Sequence, residues 1–250
     1  MNKVKISCSI VIYNENINVL NKTIQSFLSL PYSYKLYIID NSDLKEYKPS
    51  FNSIEYIKNK TNIGFGSAHN LVLNKIKNKS EYHLVLNPDV EFDAGIFKEL
   101  FYELEKDIDL MMISPKVLYP DGRIQYTCRK HPTIKELISR RLGIYKDYTL
   151  AREYRDKDLA QAFYPDFIHG CFMLFKTSDF IKLKGFDERY FLYLEDADIC
   201  REIKQEGKKI MYYPNVYIKH AHRKGSAKKI KLLLYHISSA FKYFNKWGIN

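Results

Sequence analysis

The 250-residue sequence lacks several features that would assign it to a class directly. Its four cysteines, Cys8, Cys128, Cys171 and Cys200, form no CxxC pair, so neither a zinc knuckle nor a disulfide framework is indicated. No secretory leader is recognisable. The N-terminal apolar run, residues 6–13, is too short to cross a bilayer, and no other run is long enough. We therefore expect a cytoplasmic protein whose membrane contact, where it exists, is peripheral.

Internal repeats and low-complexity linkers are also missing, and the composition is that of a globular domain. Hydrophobic residues make up 46% of the chain and aromatic residues 15%, including 21 tyrosines. A chain of this length can bury the core of one large α/β domain. The net charge of +11 predicts an anionic partner, which could be a nucleotide, a nucleic acid or an acidic membrane surface.

Short β-rich runs alternate with helical patterns in the first half of the chain. This order predicts a parallel sheet covered by helices. The predicted strands are residues 6–13, 34–40, 54–57 and 82–86, and the predicted helices are 17–30 and 66–76. Ligands of such sheets bind beyond the carboxyl ends of the strands. The segments at those ends are all polar, namely residues 14–15, 40–43, 62–70 and 87–89.

The second half of the chain is less regular. Residues 129–161 are basic and poor in apolar periodicity, which predicts a variable loop or a pair of short helices over the site. An acidic and aromatic segment, residues 185–201, follows later. The other predicted elements are an apolar run at 167–175, a helix at 177–183, strand-like runs at 209–213 and 216–219, and a basic amphipathic helix at 228–247.

Each polar strand end has a structural explanation beside the functional one. Asp40 could open a turn, or it could accept a hydrogen bond from the imide N–H of uracil or thymine. The glycines of residues 62–70 could simply shape a helix start, because their spacing matches no phosphate-loop fingerprint. Asp89 could belong to a type I turn, or it could bind Mg²⁺ together with substrate phosphates. His220 could be a metal ligand or a surface histidine.

The segment 185–201 surrounds aromatic rings with carboxylates. Aromatic neighbours desolvate a carboxylate and can raise its pKa, as a general base requires. Three of these acids, Glu195, Asp196 and Asp198, also open a helix, where negative charge is favourable. Because Glu195 and Asp196 are adjacent, they point in different directions, so only one is expected to enter the site. Asp198 is predicted to pair with Arg201, three residues later.

Taken in chain order, these motifs resemble glycosyltransferase family 2, the inverting GT-A enzymes that use nucleotide-diphosphate sugars. The matching segments are residues 9–14, 39–42, 62–66, 86–89, 195–196 and His220. Within the family, residues 64–70, 86–90 and 185–198 look most like the bacterial rhamnosyltransferase branch. The resemblance implies an α/β protein of the GT-A fold, in which helices flank a Rossmann-like, mostly parallel central sheet. It also implies a C-terminal helical extension.

The resemblance divides the chain and assigns roles by position. We expect a GT-A domain at 1–227, with a nucleotide-sugar part at 1–115 and an acceptor and catalytic part at 116–227, and then a helix at 228–250. Asp196 matches the catalytic base, with Glu195 as its supporting neighbour. The residues expected to bind the donor are Tyr13, Asn14, Glu15, Asp40, Asn62, Gly64, Gly66, His69, Asn87, Arg223 and Lys224.

The resemblance also implies a divalent cofactor and an acceptor site. Asp89 matches the last acid of the DXD motif, but its first position is Asn87, so Mg²⁺ or Mn²⁺ would rest on Asp89, His220 and the donor diphosphate. The acceptor is expected at His169 and Tyr193, beside an aromatic wall formed by residues 190–193.

The implied reaction moves a sugar onto a hydroxyl group with inversion at the anomeric carbon. The expected donor is dTDP-rhamnose, and the expected acceptor is a glycan or polyprenyl-diphosphate-linked saccharide of a bacterial surface polysaccharide. Related branches use UDP-hexoses or UDP-galactofuranose with similar motifs. A basic nucleic-acid-binding module is the alternative from another class, but the chain has no such motif, so we expect no nucleic-acid partner. The resemblance thus implies a cytoplasmic enzyme that can be peripheral at the inner face of the bacterial cell membrane. The C-terminal helix is predicted to lie on that membrane, to pack on its own domain or to join a homodimer.

Overall fold

Parallel strands from the first half of the chain build one side of the central sheet. The computed structural model describes residues 3–43, 54–221 and 230–249. Its first strands are β1 (Val4–Ile12), β2 (Tyr34–Asp40), β3 (Ile54–Lys58) and β4 (Ser80–Leu86). β1 pairs in parallel with both β2 and β4, and β2 pairs in parallel with β3. The predicted parallel sheet is therefore confirmed, with strand bounds close to the expected ones.

The other side of the sheet is mixed. Its order is β3-β2-β1-β4-β9-β6-β10-β5, and β7 pairs with β8 separately. β6 and β10 are parallel, whereas β9 is antiparallel to β4 and β6, and β5 is antiparallel to β10. The sheet is thus mostly parallel, as the resemblance implies. The later strands are β5 (Val90–Phe92), β6 (Leu110–Leu118), β7 (Cys128–Arg129), β8 (Phe167–Ile168), β9 (Phe172–Lys176) and β10 (Lys209–His220).

Two parts of the sheet differ from the sequence prediction. No element was predicted over residues 90–118, where the structure has β5, β6 and a helix. The two runs predicted at 209–213 and 216–219 form the single strand β10, whose register against β6 shifts between Tyr213 and Tyr217. Pro214 lies in this interval and has no N–H for the ladder, which explains why the sequence looked like two strands.

Helices cover both faces of the sheet. They are α1 (Ile17–Leu28), α2 (Phe65–Asn70), α3 (Leu73–Ile76), α4 (Ile96–Lys106), α5 (Ile134–Leu142), α6 (Lys146–Ala151), α7 (Thr177–Lys182), α8 (Glu195–Gln205) and α9 (Ile230–Trp247). The pair of short helices expected within 129–161 is present as α5 and α6. The helix predicted at 66–76 is divided into α2 and α3, because Leu71 and Val72 donate i→i−3 hydrogen bonds that tighten the backbone between them.

The core consists of two apolar layers, one on each face of the sheet. On one face, Ile6, Cys8 and Ile10 of β1 pack with buried residues of α1 and α4, including Phe27 and Phe97. The opposite layer contains buried residues of α2, α7, α8 and α9. This arrangement leaves the carboxyl ends of the parallel strands, with their polar loops, at one edge of the sheet.

The C-terminal helix α9 packs on its own domain, which was one of the predicted alternatives. Tyr243 is fully buried in the second core layer, and the Ser239 hydroxyl donates to the carbonyl of Leu192 at 2.8 Å. Lys246 forms ion pairs with Asp198 at 2.7 Å and Glu202 at 2.6 Å, both on α8. The helix is thus fixed directly to the element that carries Glu195 and Asp196.

The predicted pair between Asp198 and Arg201 is wrong. Asp198 is fully buried and accepts hydrogen bonds from Lys246, from the Trp247 indole at 2.6 Å and from the Tyr190 hydroxyl at 3.1 Å. Arg201 instead donates to the Tyr243 hydroxyl and the Trp247 carbonyl. Both residues face α9, and their partners come from that helix. The i,i+3 rule applies to exposed helix surfaces, whereas Asp198 is buried.

The proposed division at residue 115 falls inside β6, and one sheet continues across it. The assignment of a donor part and an acceptor part therefore stays a prediction about function. None of the helices within the described ranges is both long and apolar enough to cross a membrane.

Candidate active site

The polar loops after β1, β2 and β3 contact one another at the predicted edge of the sheet. The backbone N–H of Asn14 donates to the Ser42 hydroxyl at 2.8 Å, and the Asn41 side chain donates to the carbonyl of Gly64 at 3.0 Å. The Tyr13 hydroxyl donates to Asp43 at 2.7 Å. These bonds hold three loops, distant in sequence, as one surface beside the half-buried Glu15.

Asp40 lies beneath this surface and is fully buried. Its carboxylate accepts hydrogen bonds from the Ser42 N–H at 2.7 Å and the Tyr56 hydroxyl at 2.5 Å, and it pairs with Lys58 at 3.3 Å. Burial alone would raise the pKa of Asp40, but the bonds from Ser42, Tyr56 and Lys58 lower it below its ordinary value. Asp40 is therefore a carboxylate that orders the loop. Its predicted contact with the nucleotide base would require Ser42, Tyr56 or Lys58 to give up a bond to it.

Two glycines of the third loop are needed for close packing. Gly64 has φ 93° and ψ 175°, a conformation essentially restricted to glycine, and a Cβ there would overlap the carbonyl oxygen of Phe191. A Cβ on Gly66 would lie 2.8 Å from the Cβ of Phe186. The side chain of Asn62 accepts from the Gly64 N–H at 2.9 Å. These residues press the predicted donor loop against the segment that precedes Asp196.

His69 supports the same loop from inside the protein. It is fully buried, and its Nδ1 lies 2.7 Å from the hydroxyl of Ser9, which also contacts His83. Burial lowers the pKa of His69 well below its ordinary value, so the ring is neutral at physiological pH. The ring of Phe65 packs edge-on against it at 4.4 Å between centroids. A contact between His69 and the donor, which the sequence predicted, would therefore have to be indirect.

Asp89 and His220 meet at the end of β4, as the predicted metal pair requires. His220 Nε2 lies 3.2 Å from Asp89 Oδ1 and 3.4 Å from the Asn87 amide nitrogen. The antiparallel register of β5 and β10 places His220 opposite Val90, which brings together residues that are far apart in sequence. The other ring nitrogen of His220 contacts the Gln125 side chain at 3.0 Å, and that side chain donates to the His220 carbonyl.

The potential metal ligands at this position fit a divalent ion that is shared with a diphosphate. A carboxylate oxygen and an imidazole nitrogen converge, and Gln125 orients the ring in the way that metal-bound histidines are usually held. Among the residues that the structure describes, no group of three or more His, Cys, Asp or Glu is placed to hold a metal alone. The remaining ligands would therefore have to come from a bound substrate or from water.

His169 and Cys171 lie beside this pair, at the turn that leads into β9. Burial would raise the pKa of Cys171, but His220 and His169 lower it to about 6. Burial would lower the pKa of His220, and the neighbouring Cys171 and Asp89 instead raise it to about 10. The rings of His169 and His220 are 6.5 Å apart. His169, a predicted acceptor residue, is thus close to the predicted metal pair.

Asp196 reaches the same edge of the sheet from the first turn of α8. Its Oδ2 accepts the Gly170 N–H at 3.0 Å, and its Oδ1 accepts the N–H of Ala197 at 2.8 Å. Gly170 leaves the approach open, since a Cβ there would lie 3.4 Å from the Cβ of Asp196. Tyr193 and Leu194 adopt φ values of 72° and 66°, a costly left-handed conformation that presents the start of α8 to the site.

Glu195 points away from Asp196 and into the protein, as the sequence predicted for adjacent residues. It is buried, and its Oε2 has no hydrogen-bond partner within the described residues. Burial and, next, the charge of Asp196 raise the pKa of Glu195. The two acids therefore differ in state: Glu195 is held as an uncharged acid in the interior, and Asp196 faces the half-open edge of the sheet.

Comparison with known proteins identifies the family. The model of Glycosyl transferase family 2 matches residues 7–183. This chain belongs to that family. It is 28% identical over 247 residues to rhamnosyltransferase WbbL of Escherichia coli, covering 94% of this chain and 90% of that one. It is 27% identical to an N-acetylglucosaminyl-diphospho-decaprenol L-rhamnosyltransferase of Mycobacterium tuberculosis over 194 residues, 71% of this chain and 62% of that one.

The fold of this glycosyltransferase is shared with a solved structure. The crystal structure of GalNAc-T7 with UDP, GalNAc and Mn²⁺ superposes with a TM-score of 0.71 and 16% sequence identity. The match covers 98% of this chain, which spans half the length of that protein. The likeness confirms the predicted GT-A fold, and the family model confirms that this chain is a glycosyltransferase with a rhamnosyltransferase-like sequence.

Helix α9 brings two aromatic residues to the candidate site that the sequence did not predict. The ring of His236 packs edge-on against Tyr193 at 5.3 Å, and Tyr235 lies against Phe191 at 4.3 Å. Burial and, next, the positive charge of Arg141 lower the pKa of His236, while the negative charge of Asp196 acts in the opposite direction. The spacing of His236, Ser239 and Tyr243 along one face of α9 is the signal that could have indicated this.

Tyr190 cannot belong to the predicted aromatic wall, and the acceptor role of the other residues of that wall stays a prediction. Tyr193 and Phe191 are half-buried beside α9, but Tyr190 is fully buried and its hydroxyl donates to Asp198. Its ring and hydroxyl serve the interior, because the buried carboxylate of Asp198 needs donors. Arg223 and Lys224, predicted to meet the donor diphosphate, lie outside the described residues.

Proposed function

We propose that this family 2 enzyme transfers rhamnose from dTDP-rhamnose to a hydroxyl of a saccharide, with inversion at the anomeric carbon. The relatives in Escherichia coli and Mycobacterium tuberculosis are named rhamnosyltransferases, which supports the choice of sugar. The observation that carries the reaction is the placement of a half-buried carboxylate, Asp196, at the edge of the sheet where the predicted donor loops and the Asp89–His220 pair also lie.

Asp196 is the general base in this proposal. It would accept the proton of the acceptor hydroxyl as that oxygen attacks the anomeric carbon, and the nucleoside diphosphate would leave from the opposite face. The Gly170 N–H fixes Oδ2 of Asp196, so the carboxylate is oriented before substrate binds. One base is sufficient because the diphosphate is a good leaving group, whereas an inverting glycosidase needs a second carboxylate across a water-sized gap.

The environment of Glu195 makes it unsuitable as the base. Its raised pKa keeps it protonated, and its side chain has no exposed path to an acceptor hydroxyl. Because Glu195 is uncharged, it does not repel the carboxylate of Asp196, which lies at the start of α8 where the helix dipole favours negative charge. Glu195 thus supports the base by its protonation state and packing.

Asp89 and His220 would hold a divalent ion, Mg²⁺ or Mn²⁺, together with the donor diphosphate. Such an ion, when bound, neutralises the charge that develops on the leaving diphosphate. The structural support lies in this chain: Asp89 and His220 converge at 3.2 Å, and Gln125 fixes the imidazole ring. The Asn87 amide lies next to the pair, in the position that the family usually gives to an acid.

The acceptor proposed is a saccharide carried on a polyprenyl diphosphate at the cytoplasmic face of a bacterial membrane. The Mycobacterium tuberculosis relative is named for an acceptor of this chemical type. His169 and Tyr193 are the residues proposed to line the acceptor position. His169 precedes Gly170, whose N–H binds Asp196, and Tyr193 packs against His236 of α9. The net charge of +11 suits an acceptor with a diphosphate group.

The decisive experiment compares Asp196→Asn with the wild-type enzyme. The amide keeps an oxygen for the Gly170 N–H but cannot accept the proton, so transfer should fall by about 10²–10⁴-fold. Binding of the nucleotide sugar, followed by calorimetry, should remain within a few-fold of wild type. Near-normal turnover in this variant would refute the role of Asp196 as the base.

The donor and the metal are tested in a separate experiment. A panel that compares dTDP-rhamnose with UDP-hexoses, each with and without EDTA, should show the fastest transfer from dTDP-rhamnose and a loss of transfer in EDTA that added Mn²⁺ or Mg²⁺ restores. A preference for a UDP-hexose would contradict the proposed sugar while leaving the reaction type unchanged. The comparison with UDP-hexoses is included because a relative in Haloferax volcanii, 26% identical over 175 residues, is named a hexosyltransferase.

A further inference from the structure

The outer face of α9 is apolar and exposed. Ile230, Leu234, Ile237 and Phe241 are each more than half exposed, and Ile230 reaches 79%. At about 100° per residue, these four positions fall within an arc of about 60° on the helix surface. Tyr243, which is fully buried against the domain, projects from the opposite side. The packing of α9 on its own domain therefore uses one face of the helix and leaves this stripe open among the described residues.

A second exposed apolar feature lies at the tip between α5 and α6. Leu142, Ile144 and Tyr145 are all exposed, Leu142 by 64%, in a connection where polar residues are the usual choice. Their immediate neighbours in sequence, Arg141 and Lys146, are also exposed and carry positive charge. Single exposed apolar residues need no explanation, but three within four positions, bordered by cations, do.

Both features border the same part of the molecule. Leu137 of α5 and Phe244 of α9 pack against the same apolar layer of the core, and His236 of α9 packs against Tyr193, two residues from Glu195. The tip and the stripe thus belong to helices that cover the same face of the sheet, and α9 also contacts Tyr193, which is proposed to line the acceptor position. A surface that bound to both would be brought next to Asp196.

The charges next to these apolar residues distinguish between a lipid surface and a second copy of the chain. Arg141, Lys146 and Lys231 are exposed beside the tip and the stripe. A twofold dimer through this face would bring the same cations of two copies together, which costs energy through repulsion. An anionic bilayer instead pairs the cations with headgroups while the apolar side chains enter the boundary of the acyl region.

We propose that Leu142, Ile144 and Tyr145 of the tip, together with the α9 stripe, form one membrane-binding surface that rests on anionic phospholipid beside the acceptor position. This inference deepens the proposed function, because a lipid-linked acceptor has its diphosphate and sugar at the headgroup level. The surface presents the site to that level, so the acceptor need not leave the bilayer.

Vesicle flotation with the full chain tests the proposal without any turnover. Phosphatidylcholine vesicles that contain phosphatidylglycerol should bind the wild-type protein, and vesicles of phosphatidylcholine alone should bind it at least about tenfold less, with the difference reduced by salt. The test variants are Leu142→Ser combined with Tyr145→Ser, and Leu234→Ser combined with Phe241→Ser. Each should lower the apparent affinity by at least about tenfold, because apolar burial in the bilayer is lost.

Ile108→Ser is the matched control. Ile108 is 83% exposed in the connection between α4 and β6, so the change removes an exposed apolar side chain outside the proposed surface. It should bind vesicles like the wild type, and all variants should keep their melting temperature, since the altered residues support no core. Equal vesicle binding by the tip and stripe variants and the wild type would overturn the proposal. The proposal would also be overturned if the wild-type protein bound no vesicles but formed a dimer in light scattering, and the stripe variant were monomeric.

Failure of this proposal can be separated from failure of the proposed function. If transfer to a short, water-soluble acceptor is normal but vesicles are not bound, the surface is refuted and the reaction stands. If vesicles are bound as expected but no rhamnose is transferred, the surface stands and the donor assignment is refuted.

Discussion

Replacement of Gly64 by alanine should destabilise the protein by more than backbone strain alone, because the predicted donor loop is closely packed at this position. Gly64 combines φ 93° with ψ 175°, and its position leaves no room for a Cβ: that atom would overlap the Phe191 carbonyl oxygen and lie 3.0 Å from the Phe191 Cα. The same carbonyl accepts the Phe65 N–H at 3.0 Å. Phe191 makes this contact with its backbone atoms, which cannot move aside as a flexible side chain would.

The cost of Gly64→Ala follows from these contacts. An alanine in this glycine-only region stores about 3 kcal/mol. Opening the contact with Phe191 would also break the hydrogen bond from Phe65, for about 1 kcal/mol more. A loss of about 4 kcal/mol in the free energy of unfolding corresponds to a melting temperature lower by roughly 8–16 °C in a chain of this size.

Gly143→Ala is the matched control for this prediction. Gly143 ends α5 with φ 68° and ψ 21°, and a Cβ there meets nothing within 4 Å. Only left-handed strain remains, about 1–2 kcal/mol. Differential scanning fluorimetry would compare the two variants, and titration of the nucleotide sugar should show weaker donor binding for Gly64→Ala alone. Equal melting temperatures for the two variants, with unchanged donor binding, would refute the importance of the contact with Phe191.

Three further predictions concern the residues around Asp196 and His220. Glu195→Gln should retain transfer within a few-fold. Burial raises the pKa of Glu195 from 4.5 to about 8, so the stability that the protonated side chain contributes is complete below pH 4.5 and is lost as pH rises to about 8. The melting temperature of this variant should therefore rise relative to wild type between these two pH values, and a constant difference would contradict burial as an acid. Lys246→Met should cost about 3 kcal/mol by calorimetry, because it leaves the buried Asp198 with fewer donors. Lys182→Met, which removes the exposed pair with Glu206, should cost much less, and similar losses for the two variants would be inconsistent with this account. Gln125→Ala should raise the Mn²⁺ concentration needed for half-maximal transfer by about 10–100-fold, since the His220 ring loses its orienting partner, and an unchanged metal dependence would rule this out.

Local sequence patterns predicted the elements that depend on local physics. The apolar runs of β1, β2 and β4 follow from the burial of these strands on both faces of the sheet, and the polar residues at their ends mark where each strand stops. Glu195 and Asp196 had to diverge because neighbours on a helix are about 100° apart. The family resemblance then gave the GT-A fold, which the structural comparison confirms.

Contacts between distant elements could not be inferred in this way. The meeting of Asp89 with His220 depends on the antiparallel register of β5 and β10, and β5 was not predicted at all. The partner of Asp198 was predicted wrongly because a local i,i+3 rule could not anticipate that α9 would bring Lys246 and Trp247 to it.

The sequence by itself determined the parallel strands β1 to β4, the loops at their ends and the pair of acids at the start of α8. Only the tertiary structure decided which acid is buried as a protonated side chain and which faces the edge of the sheet, because burial sets a carboxyl pKa and depends on every element packed around it. The same holds for α9, whose amphipathic sequence allowed packing or membrane contact. Its buried face meets α8 while its apolar stripe stays exposed, since a helix has two sides and the domain covers only one.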